Sequence, residues 1–117
     1  MLQNMALPKR TLADMGFQTD DLRPFCLDLS RLPGVSGTWL LRGPSDRDGM
    51  VYVTVRGFDV EAHARRLNVI RTVERYRTQH RDAMVESDFI FDYAVLVDDS
   101  DLGEPHIPRG AELIAAA

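Results

Sequence analysis

The chain has 117 residues, close to the usual size of one domain, with 44% hydrophobic residues and a formal net charge of −4. This composition excludes wholesale disorder, and the single cysteine, Cys26, excludes an intramolecular disulfide and fits a reducing compartment. The apolar runs are too short to cross a bilayer, and residues 1–8 have no signal-peptide core. We therefore expect a cytoplasmic protein, or a virion protein if the source is a phage, with no membrane partner.

The distribution of charge is more informative than its total. Residues 59–81 contain six arginines and three acids, whereas residues 82–117 contain one arginine and nine acids. A basic middle and an acidic end can attract each other, within one chain or between two copies. Lys9 is the only lysine among 14 cationic residues. That ratio is more typical of a GC-rich bacterial or phage genome than of a particular binding function.

Residues 1–24 are predicted to form an N-terminal arm. Residues 19–21 offer a helix cap, and Pro24 is expected to stop any helix that begins there. Residues 25–29 alternate in hydrophobicity, which predicts a short strand with Phe25, Leu27 and Leu29 on one face. Cys26 then lies on the other face, half-buried.

A β-hairpin is the clearest element of the sequence. Residues 38–42 and 50–56 are rich in strand-forming side chains, and the polar segment 43–49 between them is bounded by glycines. Val51, Val53 and Val55 share one face of the second strand, so the sheet is expected to have one buried side.

A long helix is predicted over residues 60–81, with Asp59 as its N-cap. Its apolar stripe, at a spacing of 100° per residue, consists of Ala62, Val69, Val73, Tyr76, His80 and Ala83. Leu67 and Ile70 lie on the flank of this stripe. We therefore expect a second contact for the helix, with the N-terminal arm or with another subunit.

The last predicted strand spans residues 88–98 and is apolar on both faces, which is typical of a central strand. The fold class is therefore α+β, with an antiparallel sheet of three or four strands and the long helix packed across one face. A single domain is expected over 1–117, divided into an arm (1–24), a core (25–98) and a C-terminal tail (99–117). The predicted core consists of Trp39, Leu41, Val51, Val53, Val55, Val69, Val73, Tyr76, Phe91, Tyr93 and Val95.

No motif in the sequence predicts catalysis. The acidic cluster after the last strand resembles a calcium loop, but neither register that starts at Asp98 or Asp99 supplies the required ligands. We interpret it as a solvated turn, and the alternative is a cation site of another geometry formed by these acids with His106. His63 and His80 are too far apart on the helix to share a metal ion, and His106 has no ligand partner at zinc spacing. Nucleophile-elbow, phosphate-loop and dinucleotide motifs are all missing from the sequence. We predict no catalytic residue, no cofactor, no metal and no enzyme activity.

The leading functional hypothesis is a non-enzymatic protein–protein interaction, as a structural subunit of a homo-oligomer or of a larger complex. Apolar anchors in the arms support it, as do the flank of the helix and the charge asymmetry. The alternatives are a nucleic-acid-associated or regulatory protein that uses the arginine-rich helix, and an acidic inhibitor protein. The predicted interaction surface consists of Leu67, Ile70, Arg71, Arg75, Asp98, Asp99, Asp101, Glu104, Ile107, Leu113 and Ile114.

Overall fold

The computed structural model describes residues 16–98 and 105–116. A 3-10 turn (Thr19–Leu22) leads into helix α1 (Arg23–Ser30), followed by strands β1 (Val35–Arg42) and β2 (Asp48–Arg56). Helices α2 (Val60–Gln79) and α3 (Arg81–Glu86) precede strands β3 (Ile90–Asp98) and β4 (Glu112–Ala116). The predicted α+β class, the hairpin and the long helix are confirmed.

The four strands form one sheet in the order β3-β2-β1-β4. Strand β1 is antiparallel to both of its neighbours, whereas β2 and β3 are parallel. The prediction of a purely antiparallel sheet is therefore wrong for one pair. The long helix connects β2 to β3 as a crossover, and a crossover returns the chain to the same end of the sheet, so the next strand runs parallel.

The predicted strand at residues 25–29 is also wrong, because these residues belong to α1. The buried side chains of this segment are Leu22, Phe25, Cys26 and Leu29, a spacing of three and four residues that matches a helix. Leu27, which suggested the alternation, is exposed. Pro24 lies in the first turn of α1, where a missing N–H costs no helical hydrogen bond, so it helps to begin the helix rather than end one.

The hydrophobic core lies between the helices and one face of the sheet. Helix α1 packs against β1 and β4, and helix α2 packs against β2 and β3. Val51, Val53 and Val55 are completely buried there, as the alternation in β2 predicted. Other core side chains come from every layer, namely Leu29, Leu40, Val69, Val73, Phe91 and Val95.

Segments that the sequence assigned to arms contribute to this core. Phe17 and Leu22 are buried, and Phe17 packs against Phe89 with a ring-centroid distance of 4.8 Å. The tail returns as β4, whose Ile114 packs against the core. Cys26, expected to be half-buried, has no exposed surface. The parts of the arms at residues 1–15 and 99–104 lie outside the described residues.

Candidate functional site

None of the described helices packs on the second face of the sheet, and we call it the helix-free face. In the register of β1 with β2, Trp39 lies opposite Tyr52 and Leu41 lies opposite Met50. In the register of β1 with β4, Trp39 lies opposite Leu113. Its apolar members are Trp39, Leu41, Met50, Tyr52, Ala94, Leu96 and Leu113. All of them retain exposed surface, and Leu113 is 52% exposed, whereas the valines on the opposite face of β2 are 0% exposed.

Two predictions about this face are wrong. Trp39 and Leu41 were assigned to the core, yet Thr38 and Leu40 are the β1 side chains that point to the helices. Strand β3 was predicted to be central, yet it forms one edge of the sheet. Its second apolar side lies on the helix-free face, on which no described helix packs.

The chain crosses this face between β3 and β4. Pro105 and Ile107 line a cavity of about 290 Å³ together with Trp39, Thr54 and Asp98. Further along, a Cβ atom on Gly110 would lie 3.4 Å from Cδ1 of Leu41. Segment 105–111 therefore runs along the sheet towards the start of β4 and covers part of the tryptophan.

The Trp39 ring lies close to its own strand, next to Gly37. A Cβ atom on Gly37 would lie only 2.5 Å from the ring, so the strand has room for the indole because residue 37 has no side chain. Trp39 is thereby held close to the sheet and contributes a broad apolar surface at its centre. Aromatic side chains of this kind are enriched at protein–protein interfaces.

Charged residues of the helix-free face lie at its two ends. Arg56 and Asp98 are neighbours at one end, where β2 and β3 finish. Asp92 lies at the other end, on the same side of β3 and opposite Met50. Gly110 lies over Leu41, which is opposite Met50. The backbone of the preceding residue, Arg109, is therefore also at this second end. Among the described residues, both ends therefore contain charges of both signs, and Asp92 at the second end also pairs with Arg77.

Arginines of α2 cover the outer edge of β3. Arg66 Nε donates a hydrogen bond to the Val95 carbonyl at 3.2 Å, and Arg77 donates to the Phe91 carbonyl. The Arg77 guanidinium also lies 4.7 Å from the centroid of the Phe91 ring, and it pairs with Asp92 at 3.6 Å. Because an open edge strand invites further pairing, these arginines protect the sheet against edge-to-edge association.

The predicted interaction residues do not form one surface. Leu67 and Ile70 lie on the α2 side, where Ile70 packs against the core, and their expected contact with the arm or with another subunit stays a prediction. Ile107 and Leu113 lie on or over the helix-free face, whereas Ile114 points to the core. Asp98 borders the cavity under Pro105. The remaining acids, Asp99, Asp101 and Glu104, lie outside the described residues.

The arginine-rich helix is divided between structural and exposed side chains. Arg65 donates to the Arg56 carbonyl at 2.7 Å and pairs with Glu61, and Arg66 and Arg77 hold β3 as described above. Arg71 and Arg75 are exposed. Nucleic-acid binding by this helix stays a prediction, with fewer arginines available for it than the sequence suggested.

The part of the chain that the structure describes contains no group of three or more His, Cys, Asp or Glu residues placed to hold a metal ion. Among the described helices, none is long and apolar enough to cross a membrane. Burial raises the pKa of the Cys26 thiol to about 12, which disfavours the thiolate that nucleophilic chemistry requires.

Sequence analysis missed Trp39 and Leu96 as surface residues. The signal that could have identified this surface was the second apolar face of the last strand, which we interpreted as central packing. Comparison with protein-family models, with curated proteins and with solved structures finds no significant match to this chain.

Proposed function

We propose that the protein is a non-enzymatic subunit of a homo-oligomer, and that two copies associate through their helix-free faces. The observation that carries this proposal is the contrast between the two faces of one sheet. Leu96 and Leu113 remain accessible on a face built from apolar and aromatic side chains, while the other face is closed by helices of the same chain. Covering such a face removes apolar area from water, which favours association.

The charge pattern favours a second copy as the occupant. Among the described residues, Arg56 and Asp98 carry opposite charges at one end of the face, and at the other end Asp92 pairs with Arg77 while Arg109 precedes the Gly110 that lies over Leu41. Charges of both signs can therefore meet charges of both signs on a second copy. Nucleic acid is bound by surfaces of positive charge, which this mixed pattern does not favour.

The size of the face predicts a weak dimer. Four strands spaced about 4.8 Å apart and about 27 Å long give at most roughly 500 Å² per copy, and segment 105–111 covers part of that area. That area is below the roughly 800 Å² per partner of a stable interface, and it belongs to the class of transient contacts. We therefore expect dissociation in the micromolar range. The buried Cys26 has no cysteine partner in the chain, so a reducing, cytoplasmic location is part of the proposal.

The proposal is tested by the mass of the protein in solution over a concentration series from about 1 µM to about 1 mM, measured by analytical ultracentrifugation. We expect a shift from the 13.2 kDa monomer to twice that mass. Leu96→Glu should keep the protein monomeric over this range, because the dimer would have to bury an unpaired carboxylate.

Val60→Glu is the matched control. Val60 is also an exposed aliphatic side chain, 81% accessible, but it lies on α2 on the other side of the sheet. This variant should associate as the wild type does. A wild type that remains a monomer at every concentration would refute the homo-oligomer, and equal loss of association in both variants would refute the assigned surface.

A further inference from the structure

Segment 105–111 lies over the apolar centre of the helix-free face. Pro105 and Ile107 line a cavity of about 290 Å³ together with Trp39. Gly110 lies over Leu41, where a Cβ atom would be 3.4 Å from Cδ1 of that leucine. Trp39 and Leu41 both belong to β1, one of the two middle strands of the sheet. The segment and a second copy would therefore contact the same part of the face.

The contacts that hold the segment on the sheet are few. None of residues 105–111 is buried, and each is half-buried or exposed. The Ala111 N–H donates to the Pro108 carbonyl at 3.0 Å, which is a hydrogen bond inside the segment. Within the part of the chain that the structure describes, no hydrogen bond or ion pair joins residues 105–110 to the strands. A segment with so little burial and hydrogen bonding has a low local stability.

The composition of the segment explains why it lies on the sheet without joining its ladder. Pro105 and Pro108 have no backbone N–H to donate to a strand. Ile107 is half-buried, because the cavity leaves part of its side chain without a neighbour. The segment therefore covers Trp39 by apolar contact, and a second molecule can replace such a contact with a similar one of its own.

Strand β4 anchors the end of the segment independently of this cover. It pairs with β1, and its Ile114 packs against the core. The Glu112 carboxylate accepts two hydrogen bonds of 2.6 Å from Arg23. Residues 112–116 can thus stay in place when residues 105–111 move away from Trp39, so this movement leaves the sheet intact.

We infer that segment 105–111 is a displaceable cover that competes with the second copy for the helix-free face, a regulation that rests on the proposed dimer. In the closed arrangement the segment lies on Trp39 and Leu41, and in the open arrangement these side chains are free to contact the second copy. When only the open arrangement binds, the apparent Kd equals the intrinsic Kd divided by the open fraction. The cover therefore weakens the dimer, and loosening the cover tightens it.

Two substitutions at Ile107 should change association in opposite directions. Ile107→Ser removes the apolar contact at the cavity, which raises the open fraction and should lower the dimer Kd by about threefold. Ile107→Phe fills part of the cavity, which favours the closed arrangement and should raise the Kd by about threefold. If Ile107 belonged to the interface itself, phenylalanine would tighten the dimer and serine would weaken it. Analytical ultracentrifugation of the full-length protein measures each Kd.

Fluorescence of Trp39 reports the cover in the monomer, because this is the only tryptophan of the chain. At about 0.1 µM, well below the expected Kd, acrylamide should quench Trp39 more strongly in Ile107→Ser than in the wild type, and less strongly in Ile107→Phe. His106→Ala is the matched control, since His106 is an exposed neighbour in the same segment that does not line the cavity. It should change neither the quenching nor the Kd.

A double variant shows whether the opened segment exposes the same face. Leu96→Glu combined with Ile107→Ser should remain monomeric, and its association would refute the inference. The inference is also wrong if Ile107→Phe associates more tightly than Ile107→Ser, or if His106→Ala changes the Kd as much as Ile107→Ser does.

Quenching separates a failure of this inference from a failure of the proposed function. Equal quenching of Trp39 in the wild type and in both Ile107 variants would refute the cover, even if the protein dimerises. A wild type and variants that all remain monomeric would refute the proposed function and, with it, the competition with a second copy. Unequal quenching would in that case still show that the segment opens.

Discussion

The two faces of the sheet differ although the same strands build them. On the covered face, side chains of β2 are completely buried between two helices. On the helix-free face, segment 105–111 is the one described segment that crosses the strands, and Leu113 remains half exposed. Alternation in a strand therefore identifies the two faces, but it does not tell which elements cover each of them.

The difference has a physical consequence for stability and association. Side chains on the covered face stabilise the monomer, because they leave water when the chain folds. Side chains on the helix-free face keep part of their apolar surface in water after folding. Association of two copies can bury this remaining surface. Substitutions on the two faces should therefore separate folding from assembly.

The largest effect is expected on the covered face. Phe91→Ala should lower the free energy of unfolding by about 3–5 kcal/mol, because Phe91 is 2% exposed and contacts the rings of α2. Leu96→Ala, on the same strand but on the helix-free face, should cost less than half as much. Reversible urea unfolding at a monomeric concentration measures both values, and equal losses would contradict the distinction between the faces.

The buried Cys26 thiol on the covered side should make the protein less stable at alkaline pH. Burial raises the pKa of Cys26 from 9.0 to about 12, so the unfolded chain releases this proton at a lower pH than the folded protein does. The contribution of the protonated Cys26 thiol to the free energy of unfolding is fully present below pH 9. It is lost as the pH rises towards 12, at roughly 1.4 kcal/mol per pH unit.

Urea unfolding at pH 8, 9 and 10 measures this dependence, with Cys26→Val as the control that removes the thiol. The variant should lose less stability between pH 9 and pH 10 than the wild type. A thiol that reacts at pH 8 with a disulfide reagent as quickly as an unfolded chain does would contradict the burial of Cys26.

Arg77 lies where the two faces meet, at the outer edge of β3. Arg77→Gln should lower the free energy of unfolding by about 1–2 kcal/mol, because it removes a cation–π contact and a hydrogen bond to a strand carbonyl. Arg75→Gln changes an exposed arginine of the same helix and should be nearly neutral. Because the substitution uncovers the edge of β3, the Arg77→Gln variant should also aggregate more readily, as measured by light scattering. Equal behaviour of the two variants would show that Arg77 does not protect the edge.

The sequence predicted the elements with strong local signals and missed those decided by tertiary contacts. The hairpin, the long helix and the alternation of Val51, Val53 and Val55 could be recognised because each has a clear period. Helix α1 was missed because Leu27 fits an alternating pattern and Pro24 resembles a stop. The position of β3 depends on which strand the crossover meets. The stacked pair of Phe25 and Tyr76 depends on a contact between residues that are about 50 apart. Local sequence patterns do not contain either relationship.

The smallest effect is expected at β4, the strand that closes the other edge. Arg23 of α1 donates two hydrogen bonds of 2.6 Å to the Glu112 carboxylate, and this contact lowers the pKa of Glu112. The contribution of the Arg23–Glu112 pair to stability is present at a pH above the ordinary pKa of a glutamate. It is lost as the pH falls through the lowered pKa of Glu112. Glu112→Gln should therefore speed amide hydrogen exchange in β4 at pH 7 while the melting temperature hardly changes, because the pair is largely exposed. Lowering the pH should reduce the difference between wild type and variant, since a protonated Glu112 no longer pairs with Arg23. Exchange in β4 that is identical in both proteins at pH 7 would show that backbone pairing with β1 alone holds this strand.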